Sequence, residues 1–595
     1  MRRFLYSVAV ITSFVCTVSV LFLHQVNTVV TAAPRAEQGD THASPPVKAR
    51  VARMSATPRA TKTSTKTPTS SKTATATPAG YVARVVSLAS GSHHTCALLA
   101  SSVVKCWGFN IFGQLGLGVP GNRGDAVGHM GNALPAVDLG TGVIVSELYA
   151  GMSHMCALTT TLRVKCWGSN SHGQLGLGDT TYRGSQSTDM GDNLPFVDLG
   201  SGRTATALAL GESFTCALLD TAMVTCWGRN HFGQLGRGST TSIGDNAGEM
   251  GDALQTVDVG TGRTVISMVA LSNTICALLD DATIKCWGDN RIGQLGQGDT
   301  AARGDAVGEL GDALSPLPFA ADLTPVELAR SFFSTCARFD DGTVRCWGYN
   351  ASGELGTEDN LYRGLFPGQI EALLPIDLGS GHTAKRIFGG LGYTFCAILD
   401  DDTIKCWGNN ENANLGIGFG STDANWGNAI GEMGDNLPTI DLGTGMTVRS
   451  MSIGNSFRCA ILTLHSSVKC WGENSSGQLG IESTDGSWGE YPDATMGDYL
   501  PVVRLGSIVP STATPSPTPS NTATPSDTPT PSNTPTPSNT PTSSSTPTSS
   551  STPTPSSTPT ASRTFTRTAT VSRTTTRSRT KTPTKSRTAT RKPAP

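Results

Sequence analysis

Between residues 81 and 507 the apolar positions come in short runs, each closed off by Gly, Asn, Asp or Pro. Val85-Val86-Ser87-Leu88-Ala89 is followed by Thr95-Cys96-Ala97-Leu98-Leu99 and by Val104-Lys105-Cys106-Trp107-Gly108. After a long glycine-rich stretch comes Leu134-Pro135-Ala136-Val137-Asp138-Leu139-Gly140. Runs this short, rich in Val and Leu and bounded by turn residues, read as β-strands. The unit of four runs then returns: Cys96, Cys156, Cys216, Cys276, Cys336 and Cys396 stand 60 residues apart, and Cys459 follows after 63. Four short strands per unit, seven times over, predict an all-β, seven-bladed β-propeller.

The cysteines sharpen that picture. Fifteen are present, and all but Cys16 fall into pairs, one pair per unit: Cys96/Cys106, Cys156/Cys166, Cys216/Cys226, Cys276/Cys286, Cys336/Cys346, Cys396/Cys406 and Cys459/Cys470. Six pairs are ten residues apart and the last is eleven. Turn-forming segments such as Asp280-Asp281-Ala282-Thr283 lie midway, so an antiparallel hairpin sets the two cysteines opposite each other. Opposed Cβ atoms on such a hairpin lie about 4.5–5.5 Å apart, close enough for a disulfide after local adjustment. One disulfide inside each blade is expected. A helical pair of ten-spaced cysteines fails, because glycine follows every tryptophan and the runs are too short and β-rich.

Outside the repeats the sequence changes character. Residues 1–32 combine Arg2 and Arg3, an uncharged apolar run from Phe4 to Leu23, and small residues before a cleavage position at Ala32 and Ala33. They read as a signal peptide, or as an uncleaved anchor, since a run of that length spans roughly 30 Å. Residues 33–80 form a Thr/Ser/Pro/Lys linker and residues 508–595 a Ser/Thr/Pro tail, both read as disordered tethers. The tail ends in ten basic residues between 561 and 595 with no acidic one, a segment expected to meet an anionic surface. The repeat region itself holds 24 Lys/Arg against 43 Asp/Glu, a balance of −19. An acidic body disfavours a phosphate backbone, so no nucleic-acid partner is expected. Paired cysteines behind a leader point to an oxidising compartment, outside the cytosol or on the outer membrane face.

The repeat core reads Gly-x-x-His-Thr-Cys-Ala-Leu, then Val-x-Cys-Trp-Gly-x-Asn-x-x-Gly-Gln-Leu-Gly, and it resembles the repeat of the regulator of chromosome condensation family over residues 81–507. The resemblance implies that family's seven-bladed propeller. His94 and His154 hold the family's histidine position, which Phe214, Thr274, Ser334, Thr394 and Phe457 take later. Gln114, Gln174, Gln234, Gln294 and Gln478 match the Gly-Gln-Leu-Gly turn, whereas Glu354 and Asn414 depart from it. Altered turns are expected in those two units. Relatives include a chromatin-bound guanine-nucleotide exchange factor, ubiquitin-ligase parts and secreted inhibitors, so the fold does not carry the function with it.

Candidate chemistry is sparse. No catalytic group, cofactor site or metal site emerges: the ten histidines do not cluster and the cysteine spacing is wrong for zinc. The recurring tryptophans from Trp107 to Trp471 read as packing between blades, and His94 and His154 as internally hydrogen-bonded. Each unit carries a long loop, in which Arg123-Gly124-Asp125 and Arg303-Gly304-Asp305 spell an adhesion tripeptide and are candidate binding residues. Asp192, Asp252, Asp312, Asp435 and Asp498 could bind calcium, although one carboxylate per loop is thin against six to eight oxygens. The expectation is a secreted or surface-tethered, non-enzymatic and monomeric propeller that binds or displays a protein or an anionic polysaccharide through these loops. The membrane would be met only through an uncleaved N-terminal anchor. The alternatives are a regulator of a small GTPase of the exchange-factor type and a secreted enzyme inhibitor.

Overall fold

The computed structural model describes residues 83–418, 425–484, 486–489 and 496–507. The leader with Ala32 and Ala33, the linker to residue 80 and the tail from 508 lie outside the described residues. Blade 1 consists of β1 (Val85–Ser90), β2 (His94–Leu99) and β3 (Val104–Gly108), paired antiparallel in the order β1-β2-β3. The same three-stranded sheet recurs over residues 145–168, 205–228, 265–288, 325–348, 384–408 and 448–472, giving seven blades. The first strand of every blade faces a central channel of roughly 350 Å³.

Register follows from the pattern of runs. Cys96 stands opposite Cys106 and Thr95 opposite Trp107, and the later blades repeat this register. Disulfides join Cys96 to Cys106, Cys156 to Cys166, Cys216 to Cys226, Cys276 to Cys286, Cys336 to Cys346, Cys396 to Cys406 and Cys459 to Cys470. Each bridge stays inside one blade, between its second and third strands. The Cα atoms of each pair lie 4.0–4.1 Å apart, the close approach of directly opposed residues on antiparallel strands. The turn that joins β2 to β3 needs one left-handed residue, and Ser102, Leu162, Ala222, Ala282, Gly342 and Asp402 supply it in the first six blades. Only one of the six is glycine.

The fourth run is not a strand of the sheet. It touches the third strand through a single backbone bond, Val137 N–H to Val104 O at 2.8 Å, repeated for example at Val197–Val164 and Val503–Val468. Proline offers no N–H to the ladder at Pro135, Pro195 and Pro501, but it is not the whole reason, because blade 3 has Gln255 there and docks in the same way through Val257 N–H to Val224 O. Three strands plus one docked segment replace the four expected.

The core lies between blades. Cys96, Cys106 and Val104 of blade 1 pack against Val145, Met155 and Trp167 of blade 2, and the other joints repeat this arrangement. All seven repeat tryptophans are buried. At the closure, Phe457, Cys459 and Cys470 of blade 7 meet Val85, Leu99 and Trp107 of blade 1. Among the described residues no strand is exchanged there: Val503 bonds its own blade, and the ring shuts by packing and by backbone bonds such as Val85 N–H to Ser466 O at 3.0 Å.

Candidate functional site

The long loops are built from the Trp-Gly exit of the third strand. Asn110 Oδ1 accepts the Leu115 N–H at 3.0 Å, and its Nδ2 donates to Val119 O and Gly121 O. Gln114 Oε1 accepts from the Phe112 N–H at 2.9 Å, while its main-chain oxygen accepts from Trp167 Nε1 of the next blade at 3.0 Å. The Asn and Gln of the motif therefore hold the turn and seat the neighbouring blade.

From that turn the loop doubles back. Arg123 forms a backbone bridge with Gly108, and a Cβ on Gly124 would lie 2.5 Å from Gly477 O of the preceding blade. Glycine is needed at that wedge, where φ is +87°. The two adhesion-like tripeptides are thus seated against neighbouring blades. Arg123 Nη1 donates to Asn122 O, and Asp125 binds His129 at 2.7 Å. Arg303 pairs with Asp299 at 2.6 Å and Gly304 is buried, while burial and the neighbouring Glu309 push the Asp305 carboxyl up.

What the loop exposes is its tip. Val127, Val307 and Ile430 are 89%, 91% and 92% exposed, and Phe366 and Leu361 of blade 5 also face solvent. These tips rest on the preceding blade: a Cβ on Gly238 would meet the Val307 Cα at 3.0 Å, and one on Gly298 the Pro367 Cα at 2.9 Å.

The aspartates weighed for calcium hydrogen-bond across the joints. Asp192 accepts from the Thr141 N–H at 2.7 Å and the Thr141 hydroxyl at 2.9 Å. Asp252 treats Ser201 in this way, Asp312 Thr261, Asp435 Ser380 and Asp498 Thr444. Those hydrogen bonds hold all five carboxyls below their ordinary range. A lysine on the third strand completes the clamp, as where Lys165 Nζ donates to Leu139 O and Gly191 O at 2.6 and 3.0 Å. Among the described residues only His382, Asp400 and Asp401 bring three metal-ligand atoms together; they are not buried, and His382 is already bonded to Asp400 at 2.9 Å.

Both repeat histidines are fully buried, which pushes their rings down to about 3 and keeps them neutral. His154 Nε2 bonds Thr215 of the next blade at 3.0 Å, as expected. His94 departs from expectation, since neither of its ring nitrogens has a partner.

One cluster escapes sequence reasoning. Phe332, Phe333, Tyr349, Tyr362 and Tyr393 converge where blades 5 and 6 meet, with centroids 4.9 Å apart for Tyr349–Tyr362 and 5.5 Å for Tyr349–Tyr393. Beneath them Glu354, the departure from the glutamine position, is wholly buried. Its Oε2 accepts from the Ser352 N–H at 2.9 Å, as the glutamines do, but Oε1 has no partner. Burial pushes this carboxyl up to about 7, against the opposing bonds at Ser352. The turn itself is unaltered, because one carboxylate oxygen does the work of the amide oxygen. The available signal was Glu354 together with aromatics at positions that are Ser213 and Ser169 in other units.

Comparison with known proteins agrees with this architecture. A family model described as the regulator of chromosome condensation (RCC1) repeat matches residues 85–114, 145–174 and 205–234, and a second model of that repeat matches 163–218. The chain is 29% identical over 387 residues to the ultraviolet-B receptor UVR8 of Arabidopsis thaliana, covering 63% of this chain and 74% of that protein. It is 27% identical over 217 residues to the human E3 ubiquitin-protein ligase HERC2, covering 36% of this chain and only 4% of that one. Among solved structures, Prp20p from Saccharomyces cerevisiae aligns with a TM-score of 0.49 at 15% identity, over 71% of this chain and 88% of its own. The chain carries the regulator of chromosome condensation (RCC1) repeat at residues 85–114, 145–174 and 205–234, within a seven-bladed all-β fold.

Proposed function

We propose that the protein is an exported, non-enzymatic binding module that grips a protein partner with the rim of loop tips. The observation that carries this reading is the exposure of Val127, Val307 and Ile430 on loops whose bases are fixed. Apolar side chains held rigidly in water lose little entropy on docking and gain from burial. Export is supported by seven buried disulfides and by the leader-like N-terminal sequence. The experiment takes the purified full chain and a Val127→Ser, Val307→Ser, Ile430→Ser triple variant. Each is used to capture partners from extracellular fluid, with melting temperature as a folding control. Loss of a captured protein at unchanged melting temperature supports the reading, and equal capture by the variant overturns it.

A second reading has one observation in its favour, the match to a repeat that also builds an exchange factor. A regulator of a small GTPase is therefore the rival. That rival places the chain in a reducing compartment with fourteen free thiols. Mass mapping of the natural protein under non-reducing conditions separates the two readings.

A further inference from the structure

The aromatic cluster over Glu354 has features that packing alone does not demand. The position of Phe333 is Ser213, Asn273 and Ser456 in other blades, and that of Tyr349 is Ser169 and Asn409; the same turn forms without rings there. The five rings are half-buried, so each keeps part of its surface in water. Phe332 and Phe333 stand edge to face at 4.6 Å, Phe332 and Tyr393 lie 5.6 Å apart, and Phe333 is 6.2 Å from both Tyr349 and Tyr393.

The carboxylate below makes the arrangement directional. In blade 3 the corresponding Gln234 turns its Nε2 to Asn273 of the next blade at 3.0 Å. In blade 5 an oxygen stands where that nitrogen would be, and Tyr393 occupies the place of Asn273. Glu354 therefore turns a bare acceptor toward the rings, and its field reaches Tyr349, Tyr362 and Tyr393. A buried carboxylate without a partner is costly when charged, and a cation brought to it removes that cost. Aromatic faces carry the negative end of a quadrupole and attract the same kind of group.

We propose that the cluster of Phe332, Phe333, Tyr349, Tyr362 and Tyr393 above Glu354 is a binding site for the cationic side chain of a protein partner, an alkylammonium or guanidinium seated on the rings and paired with the buried carboxylate. The acidic balance of the propeller, 24 Lys/Arg against 43 Asp/Glu, draws such a group in. The site goes beyond the loop-tip reading and does not depend on it, since Val127, Val307 and Ile430 belong to the loops and not to the cluster.

The sign of the pH dependence follows from the site. The groups facing Glu354 are the Ser352 N–H and hydroxyl and the three tyrosines, with burial raising its pKa to about 7. The cation pairs with the ionised form, so affinity rises as pH increases through 7.

The test uses the full chain with N-acetyl-lysine methylamide and its uncharged counterpart N-acetyl-norleucine methylamide, followed by titration calorimetry from pH 6 to 8. Glu354→Gln is the decisive variant, because glutamine already fills this turn at Gln114, Gln174, Gln234, Gln294 and Gln478 and folding is preserved. The expected result is preferential binding of the lysine derivative, tighter at pH 8, and weakened roughly tenfold in Glu354→Gln with its pH step gone. Equal response to both derivatives, or undiminished lysine binding in Glu354→Gln, overturns the proposal. The Val127→Ser, Val307→Ser, Ile430→Ser variant retains this binding whether or not it loses its protein partner, so failure of the rim and failure of the cation site are told apart.

Discussion

The joint between blades 4 and 5 is held differently from its neighbours. At five joints an aspartate of one blade takes the N–H and hydroxyl of a Ser or Thr on the linker before it, from Asp192/Thr141 to Asp498/Thr444. At the closure, Asn132 Oδ1 accepts from the Ser507 N–H at 3.0 Å. Between blades 4 and 5 the linker reads Ala320-Ala321, without a hydroxyl, and the loop of blade 5 reads Gln369-Ile370-Glu371, without the aspartate. Aromatic packing stands in for the clamp: Phe319 meets Phe339 at 5.1 Å and Trp347 at 5.7 Å. A buried guanidinium completes the joint, with Arg330 Nη1 donating to Thr335 Oγ1 at 2.8 Å and lying 3.3 Å from Cys276 Sγ. Its Nε and Nη2 have no partner, and burial pushes it down to about 9. One repeat geometry thus tolerates two kinds of glue, charge-assisted hydrogen bonds at the rim or apolar contact at depth.

The comparison breaks most visibly at Phe339. Replacing this buried ring by alanine removes the apolar support, and a loss of about 3–5 kcal/mol in denaturant unfolding is expected. A smaller loss would mean that the missing clamp is replaced elsewhere. Next comes Arg330→Met, which fills the same volume without a half-satisfied charge. It should raise stability by about 1–4 kcal/mol, read from the unfolding midpoint, and a decrease would show the guanidinium to be an asset.

Acid sharpens the contrast. The Asp312 carboxyl is held below its ordinary value of 3.8 in the fold, so its contribution is present above that value and lost as pH falls through the lowered one. Asp312→Ala should therefore lower the melting temperature at pH 7 and cease to matter in strong acid. Phe339→Ala should cost the same at both. The smallest effect belongs to the hairpin turns: Ala282, at φ +60°, should gain about 0.5–1 kcal/mol on change to glycine, whereas Gly342 to alanine in the next blade should lose more than that, because the added Cβ would lie 2.7 Å from Thr383 Cβ.

What the sequence disclosed and what it hid divide along chain distance. Cys96 and Cys106 sit ten residues apart with a turn between them, and a strand period and a hairpin suffice to pair them. The buried tryptophans announce themselves by recurring at one place in every unit. Thr141 and Asp192 are 51 residues apart on different blades, so the aspartate shows only as an acidic loop residue and was open to a calcium reading. Phe333, Tyr349 and Tyr393 meet only once two blades are folded side by side. The fourth strand was overcounted because an apolar run says nothing about whether its N–H groups pair: Pro135 has none to offer, and the run of blade 3, with Gln255 in that place, docks in the same way.

The closure also has a mechanical meaning. The Ala83 N–H lies 3.3 Å from Gly506 O, so the chain enters and leaves the ring at one joint. Tension carried along the polypeptide pulls blades 7 and 1 apart there, while the other six joints bear no load until that one opens. Blades would then peel away singly from the two ends of the opened ring. Within each, the disulfide shields the residues between its cysteines from the pull, ten apart in six blades and eleven in the last, so unravelling would yield seven similar steps, each shortened by that span.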